Sequence, residues 1–347
     1  MAIAGVGRAA LLLPLCVGLL TDATSAAPPD PERTAVDLIT PATRQAIDRG
    51  LAWLAARQQE DGSFGTVSYS RNAAVCALAG MAFMASGSTP GRGPHGRHVE
   101  KTIDFVVAGA QDSGFISVPG SSSHGPMYGH GFATMFLAET YGMTMRPELR
   151  EKLTKAIALI IETQNKEGGW RYQPQRRDAD ISVTICQIMA LRAARNAGLF
   201  VPHETVDRCI EYVKRSQNAD GGFMYMIQGG ASAFPRSAAG VVALYSAGIY
   251  EGPEVEKGLA YLMRHLPQGG GFHRESHYFY GHYYAVQAMW HAGGEYWATW
   301  YPAIRDELIA RQHPDGSWQD NICNEYGTAM ATLVLQMPNN FLPIFQR

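Results

Sequence analysis

Asp178 and Asp180 stand one residue apart in DADI at 178–181, at the threshold of a long apolar stretch. A positioned carboxyl there can give its proton to a reacting group, and shielding it from water raises the pH up to which it holds that proton. Two histidines sit in matching contexts, His130 in YGHG at 128–131 and His282 in YGHYY at 280–284. Imidazoles change charge near neutrality, so this pair suits the task of tuning or orienting the acid. Arg71, Arg236 and the pair Glu325–Tyr326 precede or open other apolar stretches. Tyr128, Tyr280, Tyr284 and Tyr326 add rings and hydroxyls. A plainer role competes for several of them: Asp180 suits a helix N-cap and Glu325 a favourable first-turn charge.

The elements that carry these residues repeat. TQNKEGGWRY at 163–172 returns as RQQEDGSFG at 57–65, SQNADGGFMY at 216–225 and RQHPDGSW at 311–318, with weaker copies GAQDSGF at 109–115 and LPQGGGF at 266–272. The closing aromatics, Phe64, Phe115, Trp170, Phe223, Phe272 and Trp318, lie about 46 to 55 residues apart, a period of the kind that builds arrays. Before each turn runs an amphipathic stretch, such as 43–58 with Ile47, Leu51, Trp53 and Leu54 at helical spacing. After it comes a stretch apolar nearly all round: 72–87, 131–142, 181–198, 237–248, 283–294 and 326–337. Glycines in the turns let the chain leave one helix with positive φ and reverse.

Amphipathic helices alternating with apolar ones imply two layers, the second buried. No strand-like alternation occurs, so the expected fold is all-α: six hairpins forming an α/α toroid of two concentric six-helix rings. An open solenoid would need polar capping repeats, yet the last repeat is as apolar as the others. In the closed ring the inner helices run parallel and collect their N-termini at one rim. That rim is where Arg71, His130, Asp180, Arg236, His282 and Glu325 are expected. The glutamines Gln58, Gln164, Gln217 and Gln312 read as structural, bonding backbone at the hairpin ends while each aromatic stacks beneath.

The pattern Arg49-Gly50-x-x-Trp53-Leu54-x-x-x-Gln58-x-x-x-Gly62-x-Phe64 resembles the glutamine–tryptophan repeat of squalene–hopene cyclases, and 168–198 is the block most like it. The β subunits of protein prenyltransferases share the toroid and a similar Gly-Gly-aromatic turn. The cyclases carry an Asp-x-Asp-Asp motif whose middle aspartate protonates an alkene. Asp178-Ala179-Asp180-Ile181 matches its first two aspartates and has isoleucine for the last, so the resemblance makes Asp180 the acid. Those cyclases enclose substrate between two helical domains, and this chain has material for one. The zinc-binding Asp-x-Cys pair of the prenyltransferases is replaced by Pro235-Arg236-Ser237-Ala238, which leaves His282 alone as a ligand. No metal and no cofactor are expected. Toroidal glycosidases and lyases are a third comparison; there Asp178, Asp180, Glu139 and Glu325 would be the carboxylates, with Tyr128, Tyr280 and Trp170 stacking on sugar. The inner aromatics Phe83, Phe132, Phe136, Tyr245, Tyr283, Tyr284 and Trp290 suit cation stabilisation and core packing alike.

The expected ligand is therefore apolar and isoprenoid-like, bound by Arg71, Tyr128, Arg236, Tyr280, Tyr284, Glu325 and Tyr326, with Asp180, Asp178, His130 and His282 as the catalytic set. A non-catalytic binding toroid is the reading from another class. With 347 residues, 46% apolar content and a net charge of −2, the chain has a large core and no call on nucleic acid. A membrane-surface or protein partner stays open. Arg8, the apolar run 9–20 and small residues at 21–28 read as a cleaved export signal. The expected division is 1–27 signal, 28–40 flexible leader and 41–347 toroid, in a periplasmic or extracellular protein. Loss of the signal removes Cys16 and leaves Cys76, Cys186, Cys209 and Cys323.

Overall fold

The structure, a computed structural model, describes residues 1–2, 35–118, 121, 125–267 and 276–346. The export signal, Cys16 and most of the leader lie outside the described residues, as does the fifth turn from 268 to 275 with Phe272.

Twelve α-helices occur among the described residues, and no strand. The inner ones are α2 (Ala73–Ala85), α4 (Pro126–Tyr141), α6 (Ile181–Asn196), α8 (Phe234–Ser246), α10 (Tyr278–Ala292) and α12 (Asn324–Leu335). The outer ones are α1 (Pro41–Arg57), α3 (Gly96–Ala108), α5 (Pro147–Thr163), α7 (His203–Arg215), α9 (Pro253–Met263) and α11 (Gly294–Arg311). Each inner helix packs on the next, and α12 packs back on α2, so the ring closes. The molecule is an α/α toroid. Burial follows the two-layer pattern: twelve of the thirteen residues of α2 are buried, against six of the seventeen in α1.

The turns show how sequence closes the ring. Gln164 Nε2 donates to the Gly168 carbonyl at 2.9 Å and to the Thr205 carbonyl, in the first turn of the next outer helix, at 2.9 Å. Gln58 bonds Gly62 and His98 in the same way, and Gln217 bonds Gly221 and Glu254. Gln312 bonds Gly316 and reaches Ala46 in α1, joining the last outer helix to the first. These glutamines are staples, each tying the carbonyl of its own turn to one at the next outer helix through a single amide group. Glycine is required at the fourth position beyond. Gly168 has φ +100, and a Cβ there would lie 2.0 Å from the Arg208 carbonyl.

Beneath each of the five described turns lies a buried side chain whose backbone N–H is taken by the next inner helix. Phe64 donates to Cys76 Sγ, Trp170 to Thr184 Oγ1, Phe223 to Ser237 Oγ and Trp318 to Thr328 Oγ1. The second turn departs from its expected register by one residue. Ile116, not Phe115, is buried there, and its N–H goes to His130 Nδ1 at 3.1 Å. Ala110 then occupies the glutamine position. Lys152 Nζ donates to its carbonyl at 2.9 Å.

At the opposite rim the chain ends across the mouth of the inner ring. Gln336 Nε2 bonds the Ala82 carbonyl and Asn339 Nδ2 the Ala85 carbonyl. Ile344 N–H bonds Glu139 Oε2, and Arg192 bonds the Gln346 carbonyl. Leu342, Ile344 and Phe345 are buried beneath.

Candidate functional site

Asp180 is the N-cap of α6. Its Oδ1 accepts the Val183 N–H at 2.9 Å, which satisfies one of the donors a helix start leaves open. Its own N–H goes to the Trp170 carbonyl and that of Ile181 to the Tyr225 carbonyl, so the third and fourth turns hold the helix start between them. The side chain is 0% exposed. Oδ2 has no hydrogen-bond partner and faces Arg171 Nε at 3.3 Å. Burial pushes the carboxyl up to about 6; the Val183 N–H, Arg171 and the Tyr225 hydroxyl pull the other way and do not offset it.

Tyrosines surround this acid. The Tyr172 and Tyr225 hydroxyls bond one another at 2.5 Å, and Tyr128 packs at 6.1 Å from Tyr172, centroid to centroid. Tyr280 donates its hydroxyl to the Ser182 carbonyl at 2.9 Å and packs edge-on against Tyr284 at 4.8 Å. The Tyr284 hydroxyl lies 3.3 Å from Cys186 Sγ. Burial, with the charge of Asp180 among the further causes, raises the hydroxyls of Tyr128 and Tyr280 well above their ordinary range. Tyr326 and Tyr283 are buried as well, the latter packed edge-on against Tyr284 at 4.9 Å.

The Arg171 guanidinium lies over the rings of Tyr172 and Tyr225, at 4.9 and 5.4 Å, and bonds Asp178 at 2.7 Å. Asp178 is exposed, so it anchors the outer side of Arg171 while Asp180 lies behind it.

The expected set therefore divides. Asp180, Tyr128, Tyr280, Tyr284 and Tyr326 share the centre. His130 does not: it is buried between the rings, where Nδ1 accepts from Ile116 and Nε2 donates to the Ala156 carbonyl at 3.2 Å. That pairing fixes the neutral Nε2–H tautomer, and burial draws the imidazole down to about 4. His282 holds the same helical position in α10. It packs against Tyr278, Phe234 and Trp300 of the outer layer, with burial, then Arg311 and His265, lowering it to about 3. Both histidines project outward: His130 onto Ile116 of its own turn and His282 onto Trp300 of the outer layer.

Arg71 pairs with Asp61 within its own turn and lies over Phe105. Arg236 bonds the Phe223 and Ala231 carbonyls of its own turn. Glu325 accepts from the Thr66 hydroxyl at 3.3 Å. Glu139 lies at the opposite rim on Ile344, so the four carboxylates named for sugar chemistry do not converge. Cys76, Cys186, Cys209 and Cys323 are buried thiols. Among the described residues no three His, Cys, Asp or Glu side chains stand together as metal ligands.

Arg171, Tyr172 and Tyr225 are the additions that sequence reasoning passed over. Their signal lay inside the repeat: in GGWRY and GGFMY a tyrosine follows two residues after the buried aromatic, and both tyrosines reach the centre.

Residues 37–155 match the prenyltransferase α/α toroid domain family model, and residues 133–278 match that of the squalene–hopene cyclase C-terminal domain. No curated protein sequence matches the chain. Among solved structures, a protein from Actinoplanes is 17% identical, with 86% of this chain and 99% of that chain covered and a TM-score of 0.60. The type II terpene cyclase MstE from Scytonema is 15% identical, covering 87% and 99%, with a TM-score of 0.61. A variant of it in complex with geranylgeranyl dihydroxybenzoate matches at 13% identity, 87% and 98% coverage and a TM-score of 0.61. The GH76 α-mannanase BT2949 from Bacteroides thetaiotaomicron is 10% identical, covering 90% and 98%, with a TM-score of 0.57. At these identities the likeness is one of fold.

Proposed function

We propose that this chain is an exported terpene cyclase-like toroid that takes an apolar, isoprenoid-like ligand into the tyrosine-lined centre at the inner-helix N-terminal rim. Asp180 is its acid. The observation that carries this reading is Oδ2 of Asp180: a fully buried carboxyl oxygen, free of hydrogen bonds, in a ring of tyrosines.

A carboxyl held near 6 keeps an appreciable neutral fraction at physiological pH. The proton leaves Oδ2 for an alkene carbon of the ligand, and the carboxylate formed is met by Arg171 at 3.3 Å. That pairing favours the product of proton transfer more than its start, which is where an acid gains strength. The carbocation generated lies among Tyr128, Tyr280 and Tyr284, whose ring faces stabilise positive charge. Loss of a proton to a base or water ends the sequence. The histidines have no part in this step; their nitrogens and surroundings belong to the wall.

A second reading is a carrier or scaffold that keeps the toroid without turnover. It is supported by Tyr283 and Tyr284, both buried and packed at 4.9 Å, with Phe345 of the C-terminal segment against Tyr283. Mass spectrometry of organic extracts from the purified protein and its Asp180→Asn variant separates the two. A lipid cyclised in the wild type and linear in the variant supports the enzyme. The same lipid in both supports the carrier, and none in either removes the isoprenoid reading. For the localisation, N-terminal sequencing of the exported protein should begin near residue 27 or 28.

A further inference from the structure

At the rim opposite Asp180 three large apolar side chains stand out in water, two in loops that join an inner helix to the next outer one and one in the C-terminal segment. Met145 between α4 and α5 is 99% exposed and Phe200 between α6 and α7 is 83% exposed. Phe341 of the C-terminal segment lies over Gly87, in the loop between α2 and α3. Inner helices α2, α4 and α6 are consecutive in the ring, so these tips form one arc. Protruding apolar side chains gathered on one side of a protein mark a contact surface.

Charge distinguishes this arc from the rest of the same rim. Its loops and first outer turns carry Arg92, Arg97, Arg146 and Arg150 against Glu148 and Glu204, Arg146 being paired with Asp104, and Arg195 stands beside them in the last turn of α6. Across the ring, residues 35–40, 247–256 and 293–298 contain no lysine or arginine but hold Asp37, Glu251, Glu254, Glu256 and Glu295. The arginines come from three successive hairpins, so the sequence shows no basic run.

We propose that this arc is a docking surface for an anionic lipid bilayer, with Met145, Phe200 and Phe341 entering the interface and the arginines meeting the headgroups. Separate single-residue tips suit a fluid apolar phase, whereas a protein partner would need a pocket for each. Arginine beside apolar tips is the pairing that interfacial binding uses. The surface lies at the far rim from Asp180, so its failure leaves the acid reading untouched.

The test is co-sedimentation of the chain from Pro28 onward with vesicles of phosphatidylcholine alone or mixed with phosphatidylglycerol. The wild type should pellet with the mixed vesicles, less so at high salt. Arg150→Glu/Arg195→Glu should reduce that partitioning by roughly tenfold or more, at about fivefold per cation removed. Met145→Ser/Phe200→Ser should reduce it comparably, with thermal melting unchanged because both side chains are exposed. Equal partitioning of variants and wild type would overturn the proposal. So would a wild type that ignores both vesicles but self-associates through Met145 and Phe200, which would make the partner a second copy.

Discussion

The second and third turns of the toroid solve one packing problem with different residues. In the third, Gln164 staples two carbonyls, Trp170 fills the space beneath, and Thr184 takes the Trp170 N–H. The Trp170 indole also donates to the Ile160 carbonyl at 2.7 Å. In the second, Ala110, Ile116 and His130 stand in those places, and Lys152 of α5 ties the turn to the outer helix through the Ala110 carbonyl instead. His130 is therefore a larger substitute for a threonine, and its titratable ring is incidental to that task. The helix caps differ in the opposite sense. Asn72 caps α2 with one oxygen shared between two N–H groups, and Gly125 precedes α4 with no side chain at all. Asp180 caps α6 through Oδ1 alone and leaves a buried charged oxygen over, where an asparagine would have been cheaper to bury. A residue that exceeds its structural need is where function is to be sought.

The comparison breaks most visibly at the buried aromatics. Trp170→Ala should cost about 4 kcal/mol, because it opens a cavity and strands the Ile160 carbonyl. Ile116→Ala should cost about 3 kcal/mol, read as the difference in denaturant midpoint. Equal costs would mean the indole bond adds nothing to the third turn.

His130→Thr places the third turn's solution in the second. It should lose about 2 kcal/mol at pH 7 through the vacated volume and the lost hydrogen bond to the Ala156 carbonyl. The imidazole is depressed from its usual 6.5 to about 4, so the stability tied to its neutral form is present above 6.5 and lost as pH falls. The gap between variant and wild type should therefore narrow from pH 6.5 towards 4 in a series of thermal melts. A constant gap would show that His130 does not titrate as a buried group.

Gln164→Ala should cost about 1 to 2 kcal/mol, since two carbonyls lose their donor, and hydrogen exchange should quicken at the start of α7. Protection unchanged there would deny the staple its role.

Asp180→Asn should be the change that does not destabilise. The asparagine keeps an oxygen for Val183 N–H, and the change removes a carboxyl raised from 3.8 to about 6. The wild type loses that contribution as pH rises from about 4 through 6, so the variant should match it near pH 4 and exceed it by up to about 3 kcal/mol above pH 6. An Asp180→Asn protein that is less stable at every pH would make Asp180 a structural cap like Asn72.

Much of this was legible along the chain. Hairpins, ring closure and the stapling role of Gln58, Gln164, Gln217 and Gln312 follow from periodicity and from the glycines that permit the turns, because these are local devices repeated six times. The copy at 109–115 was misplaced by one residue because Phe115 and Ile116 are both apolar; only burial distinguishes them. His130 and His282 read as site residues because a sequence places a residue in a helix without saying which way its side chain points.

The sequence by itself determined the number of helices, their two characters and the closed ring, since apolar periodicity and turn chemistry act within one hairpin. Tertiary structure alone decided that Asp180 is buried with one oxygen to spare, that Arg171, Tyr172 and Tyr225 surround it, and that arginines from three successive hairpins share an arc. Tyr225 and the arginines of that arc come from different repeats, and only the curvature of the ring brings such residues within reach of one another.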